Sequence, residues 1–172
     1  MQLLVIRHGI AEDQEAFART GKDDSLRPLT KSGKREMRFV ATGLKRVAPK
    51  MAVLASSRLV RAQQTAAIIA AEYSIDDVTE LDALAPDARP TALLKWLRAL
   101  DEELYASGPV AVVGHEPHLS GLVTWLLTGQ TESRLVLKKG GACRVDFAAR
   151  PAAGKGELRW LMTPAQLRLI GD

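Results

Sequence analysis

The stretch Leu3-Leu4-Val5-Ile6-Arg7-His8-Gly9 runs four consecutive apolar residues into an abrupt polar turn. A short apolar run stopped by a glycine reads as a buried strand, and runs buried on both faces are typical of parallel sheets. Two further runs end in the same way. Met51–Ala55 passes into Ser56-Ser57-Arg58-Leu59-Val60-Arg61-Ala62-Gln63-Gln64-Thr65-Ala66, and Val110–Val113 passes into Gly114-His115-Glu116-Pro117-His118. In open α/β sheets ligands bind beyond the carboxyl ends of the strands, so these turns are expected to meet in one pocket. Two imidazoles and two guanidiniums gathered there suit a phosphoryl group.

Between these runs the pattern changes to a helical period. Thr30 is placed to cap a helix whose stripe is Met37, Val40, Leu44 and Val47, ending at Pro49. Leu59–Tyr73 reads as an alanine-rich helix, Val78–Leu81 as a short third strand, and Pro90 as the first turn of one helix reaching Tyr105. That helix would face Leu93, Leu94, Leu97, Leu100 and Leu104 inward. Leu119–Leu127 forms a hydrophobic helix stopped near Gly129, and residues 10–29 read as a long irregular loop. Leu135–Lys139, Cys143–Ala149 and Leu158–Met162 look like added antiparallel strands. The expected fold is α/β: three layers, α/β/α, around a mixed and mainly parallel central sheet, in a single domain over residues 1–172.

Composition narrows the function classes. At 172 residues, 47% hydrophobic and 26% charged, the chain resembles an ordinary globular domain. No apolar stretch approaches the roughly 18 residues needed to cross a bilayer, so no membrane partner is expected. The single cysteine, Cys143, offers neither an internal disulfide nor a metal framework, which points to a reducing, cytoplasmic setting. The net charge of +4 has a modest cluster at Lys31, Lys34, Arg35 and Arg38, spaced along one helical face. With only 5% aromatic residues there is no stacking platform, and nucleic acid is not an expected partner. The oligomeric state is left open.

Each motif then has a chemical reading. His8 at a strand end is a nucleophile that needs no proton removed near neutral pH, provided a backbone carbonyl fixes the ring through Nδ1 and leaves Nε2 to attack. Gly9 would let the backbone turn away sharply. Arg7 and Arg61 would hold phosphoryl oxygens through their planar forks, whereas Arg58, just past the strand region, faces solvent. His115, protonated, would add charge and a hydrogen bond. His8, His115 and His118 form an alternative three-imidazole metal site, disfavoured because two arginines there would repel a cation. The His115–His118 spacing also differs from the four-residue separation of the zinc motif H-E-x-x-H.

Four motifs in order, Leu4-Val5-Ile6-Arg7-His8-Gly9-x-Ala11, Arg27-Pro28-Leu29-Thr30-x-x-Gly33, Ser56-Ser57-x-x-x-Arg61-Ala62-x-Gln64-Thr65 and Val113-Gly114-His115-x-Pro117-x-Leu119, resemble the histidine phosphatase superfamily. The shortness of the chain and the Arg27–Gly33 motif resemble its SixA-type phosphohistidine phosphatases. The resemblance implies a phosphoglycerate mutase-like fold and a phosphatase that uses no metal or cofactor. In it His8 is transiently phosphorylated, Arg7, Arg61 and His115 complete the pocket, and Arg27 orients the loop or touches substrate. The implied substrate is phosphohistidine on a signalling or phosphotransfer protein. A small phosphorylated molecule such as a sugar phosphate or nucleotide, or a phosphate-binding module without turnover, are the alternatives. Larger relatives carry an acid for the leaving group. Glu80 and Asp82 are the candidates here, although surface charge is the simpler reading of both.

Overall fold

The computed structural model describes residues 1–171. In chain order the elements are β1 (Gln2–Arg7), α1 (Gln14–Ala18), a 3₁₀ turn (Asp24–Leu26), α2 (Lys31–Val47), β2 (Val53–Ser56) and α3 (Val60–Tyr73). There follow β3 (Thr79–Glu80), a second 3₁₀ turn (Asp82–Leu84), α4 (Pro90–Ala99), α5 (Glu102–Ser107), β4 (Val110–Gly114) and α6 (His118–Thr128). β5 (Ala142–Asp146), β6 (Glu157–Met162) and α7 (Pro164–Gly171) complete the fold.

The strands form one mixed sheet in the order β3-β2-β4-β1-β5-β6. β3, β2, β4 and β1 pair in parallel, and β5 and β6 add antiparallel strands on the β1 side. Alternation along the central strands divides the core in two. Leu3, Val5, Val110 and Val112 pack toward Leu93 and Leu97 of α4 and Leu119 and Leu122 of α6. Leu4, Ile6, Ala111 and Val113 pack toward α2, α3 and α7. This gives the three layers expected, and it explains why the runs in β1 and β4 are apolar at every position. No helix among the described residues is long and apolar enough to cross a membrane.

Local chemistry sets the boundaries. Thr30 caps α2 by accepting a hydrogen bond from Gly33 N at 2.9 Å, and Met37, Val40 and Leu44 are fully buried beneath it. Lys31, Arg35 and Arg38 lie on the exposed face of the same helix. Helix α7 had no periodic signal strong enough to be expected. It docks where α2 carries Gly43, at which a Cβ would stand 1.8 Å from the Leu167 carbonyl oxygen. Only glycine permits that approach of the two backbones.

Three expectations need correction. The helix from Pro90 breaks after Ala99: Leu100 is extended, with ψ 145°, and α5 restarts at Glu102. The leucine spacing runs unchanged through the break, so periodicity could not reveal it, and Leu104 ends 36% exposed rather than inward. Residues 135–139 form no strand. Their backbone is used elsewhere: Gly140 N donates to the carbonyls of Arg7 and His8, and the Leu137 carbonyl accepts from Arg7. Residues 10–29 are not irregular. Asp13 caps α1 by accepting from Ala16 N, Asp23 caps the 3₁₀ turn by accepting from Ser25 N, and an Ala11–Leu29 bridge closes the segment.

Candidate active site

Strand register brings the polar turns together. Arg7 stands opposite Gly114 across β1 and β4, and Ser56 opposite Val113 across β2 and β4. His8, Ser57 and His115 therefore leave the sheet side by side. The backbone extends the ladder by one step at each, with His8 N donating to the Gly114 carbonyl and Ser57 N to that of Val113. A cleft of about 700 Å³ opens at this edge, and Arg7, His8, Arg61 and His115 all line it.

His8 is 6% exposed. Its Nδ1 lies 2.7 Å from the Gly9 carbonyl oxygen, which accepts the Nδ1 proton and leaves the ring lone pair on Nε2. Burial is the main force pushing its pKa down to about 4. The Gly9 hydrogen bond opposes this, while the charges of Arg61, Arg7 and Lys139 reinforce it. The imidazole is thus neutral near pH 7. Gly9 serves a different purpose from the one expected: it is not in the left-handed region. A Cβ there would meet Met37 Cγ at 2.6 Å, so glycine lets the turn lie flat on α2. Gly9 N donates to Thr65 Oγ1 at 3.0 Å, locking the turn to α3.

The two arginines are held alike. Arg7 donates from Nη1 to the Leu137 carbonyl at 2.8 Å, and Arg61 from Nη1 to the Asp24 carbonyl at 2.9 Å. Each Nε is buried and has no partner among the described residues. Arg61 is 5% exposed in the first turn of α3, not a solvated helix residue. Arg58 does face solvent, at 62% side-chain exposure, and pairs with Asp82.

The His115 ring is centred 5.0 Å from that of His8. Its Nε2 lies 2.9 Å from Ser57 Oγ, while Nδ1 is buried without a partner among the described residues. Leu59 N points a weak hydrogen bond at the same hydroxyl oxygen. The Ser57 proton is then free to go to Nε2, which leaves Nδ1–H as a donor. Burial first, then the nearby His8, Arg61 and His118, push the His115 pKa down to about 3. Burial thus favours the neutral ring in the free site. Helices α3 and α6 both begin beside the cleft, and neither has a side-chain N-cap. Their first amides add partial positive charge there.

The remaining sequence candidates divide. Arg27 lines the cleft, but its Nε donates to Asp24 Oδ1 at 2.7 Å and its Nη1 to the Glu12 carbonyl at 2.8 Å. Glu80 and Asp82 lie outside the cleft lining and are exposed. Glu80 accepts from Gln63 and Asp82 from Arg58. His118 is buried in the first turn of α6 and does not line the cleft. Sequence reasoning missed Ser57, Thr65, Asp24, Glu116 and Lys139. Ser57 was legible in principle, since it follows a strand end as His8 and His115 do. Asp24 was not, because its partner Arg61 is 37 residues away.

A model of the histidine phosphatase superfamily (branch 1) matches residues 3–85. An uncharacterised protein of Picosynechococcus sp. (strain ATCC 27264 / PCC 7002 / PR-6) is 35% identical over 169 residues, spanning 97% of this chain and 99% of that protein. The chain belongs to the histidine phosphatase superfamily. This histidine phosphatase is also 29% identical over 170 residues to phosphohistidine phosphatase SixA of Escherichia coli (strain K12), covering 98% of each. The structure of the protein histidine phosphatase SixA complexed with tungstate superimposes with a TM-score of 0.80 at 28% identity, over 97% of this chain and 99% of that one. It is accordingly a phosphatase of SixA-like, phosphoglycerate mutase-like fold, and its substrates are phosphorylated.

Proposed function

We propose that this histidine phosphatase removes phosphate from phosphohistidine on signalling or phosphotransfer proteins, with His8 as the group that is transiently phosphorylated. One observation carries the reading. Among the described residues, Nε of Arg7 and Nε of Arg61 are buried donors without partners, and Nδ1 of His115, a donor when Ser57 donates to Nε2, is a third. All three residues share a cleft with the His8 ring, where Glu116 Oε1 is a buried acceptor without a partner among the described residues. An unpaired buried donor costs on the order of 1–3 kcal/mol, so three around one nucleophile mark a place for an anion. Tungstate, named with SixA, is a tetrahedral oxyanion of the same kind.

In the first step the His8 Nε2 lone pair bonds to phosphorus. The substrate imidazole carries a proton on its other ring nitrogen, so when its bond to phosphorus breaks and the electron pair returns to nitrogen, it leaves as neutral imidazole. Arg7 and Arg61 neutralise the equatorial oxygens, and His115 donates from Nδ1. In the second step a water oxygen bonds to phosphorus, the pair of the P–N bond returns to His8 Nε2, and the water proton leaves with phosphate or to solvent. Neither step takes a metal or cofactor. The leaving imidazole has a reference pKa of about 6.5, far below that of an alcohol, so a strong general acid is dispensable. Glu80 and Asp82, the acids expected from the sequence, lie outside the cleft. We place the whole of residues 1–172 in one catalytic domain, working in the cytoplasm.

The test is His8→Ala assayed beside the wild type on a phosphohistidine protein, with EDTA present. Turnover should fall by at least about a thousandfold in the variant, and brief mixing of the wild type should trap acid-labile phosphate on His8. Full activity of the variant would refute the covalent route. A second reading, hydrolysis of small phosphoesters, draws support from the carboxylates of Glu12 and Glu116 in the cleft lining. It would gain ground if phosphoesters turned over as fast as phosphohistidine.

A further inference from the structure

We infer that Asp24 is a positioning residue for phosphoryl transfer, gripping Arg61 by the outer end of its fork so that the Nε edge is the one offered to phosphate. The inference rests on the reading of Arg61 as a ligand of the phosphoryl group. A guanidinium carries five donors on a rigid plane, and catching two oxygens demands that the plane be correctly turned. Asp24 fixes it at two points. Its carbonyl accepts from Nη1 at 2.9 Å, and its carboxylate Oδ2 lies 3.1 Å from Nη2. Nε is left buried and unpartnered.

Asp24 is itself clamped from the other side. Arg27 Nε donates to Oδ1 at 2.7 Å, and Arg27 is anchored in turn on the Glu12 carbonyl. One carboxylate thus bridges two guanidiniums, each with a nearly buried side chain, at 6% and 11% exposure. The bridge also gives the Arg27 motif its purpose: Arg27 orients Asp24, and Asp24 orients Arg61. The rival reading makes Asp24 a plug that holds the anion's place on Arg61 until substrate displaces it. The two readings predict opposite signs. Removing a positioning group slows turnover, whereas removing a plug tightens the binding of inorganic phosphate.

The experiment compares full-length wild type, Asp24→Ala, Asp24→Asn, Arg61→Ala and the Asp24→Ala/Arg61→Ala double variant on a phosphohistidine protein, with inorganic phosphate as competitor. Asp23→Ala is the control, because it removes the cap of the same 3₁₀ turn without touching Arg61. Asp24→Ala should lower kcat about tenfold or more while KM moves less, as misorientation does. Asp24→Asn, which can accept from only one of the two guanidiniums with its side-chain oxygen, should fall in between. Asp23→Ala should stay within about twofold of wild type. In the Arg61→Ala background, losing Asp24 should cost almost nothing more, because its effect passes through Arg61. Tighter phosphate binding with kcat intact in Asp24→Ala, or losses that multiply in the double variant, would overturn the inference. If Arg61→Ala is crippled and Asp24→Ala normal, this inference alone fails; if Arg61→Ala is fully active, the functional reading fails with it.

Discussion

At the ends of β1, β2 and β4 the cleft stands on backbone that is paired on both sides and buried, with His8, Ser57 and His115 each one step beyond the ladder. The two segments that close over it, residues 10–29 and 131–141, are held differently. Residues 10–29 carry short capped turns, a carbonyl aimed at Arg61 and ion pairs to the half-exposed Asp24 carboxylate, and residues 131–141 aim the Leu137 carbonyl at Arg7. The sheet edge therefore places the atoms that would make and break bonds, while the overlying segments aim the arginines. A fault in the first should abolish chemistry. A fault in the second should only degrade it.

The largest effect expected after loss of His8 comes from Arg61, where the two regions meet. Arg61→Lys keeps the charge but forfeits the fork and both contacts to Asp24. It should lower kcat/KM about a hundredfold, read by steady-state kinetics on a phosphohistidine protein. A change of less than threefold would mean that charge alone suffices and that the aiming described above is irrelevant.

A pH titration sharpens the same contrast at the sheet edge. His8 is held at about 4, against 6.5 for an ordinary imidazole. Between those values the unfolded chain binds the proton and the folded one does not, so stability rises with pH across that interval. It is fully present above 6.5 and is lost as pH falls toward 4. Ring chemical shifts of His8 should show a neutral imidazole down to about pH 5, with Tm falling over the same range. A midpoint near 6.5 would show that burial does not govern the ring.

The smallest effect is expected at the seam. Gln64 Oε1 accepts from Leu29 N at 2.8 Å and ties the end of the 10–29 segment to α3. Gln64→Ala should cost about 1 kcal/mol of stability in denaturant unfolding and change kcat less than threefold. A larger loss of kcat than in Arg61→Lys would reverse the order of the two regions.

What was legible in the chain follows the same division. Strand ends announce themselves, because Leu3–Ile6 and Val110–Val113 are apolar at every position and stop at polar turns. The Thr30 cap and the Met37, Val40, Leu44 stripe are equally local. The overlying segments depend on distant partners. Leu137 offers its carbonyl to Arg7, 130 residues away, so a β-rich stretch from 135 to 139 is spent on the site instead of a ladder. The Asx caps at Asp13 and Asp23 gave a signal that the polar composition of residues 10–29 obscured. The burial of His115 beside another imidazole, which pushes its pKa down, likewise comes from segments distant in the chain.

The crossing from β2 to β4 carries one last consequence. Those strands are neighbours in the sheet, yet α3, β3, α4 and α5 lie between them in the chain. The span through α4 and α5 packs behind the sheet and adds no residue to the lining of the cleft. Chain could therefore be added there over evolutionary time, outside the buried Leu93 and Leu97, without adding to the lining of the cleft. Descendants of such a scaffold can acquire new appendages while keeping their reacting atoms in place.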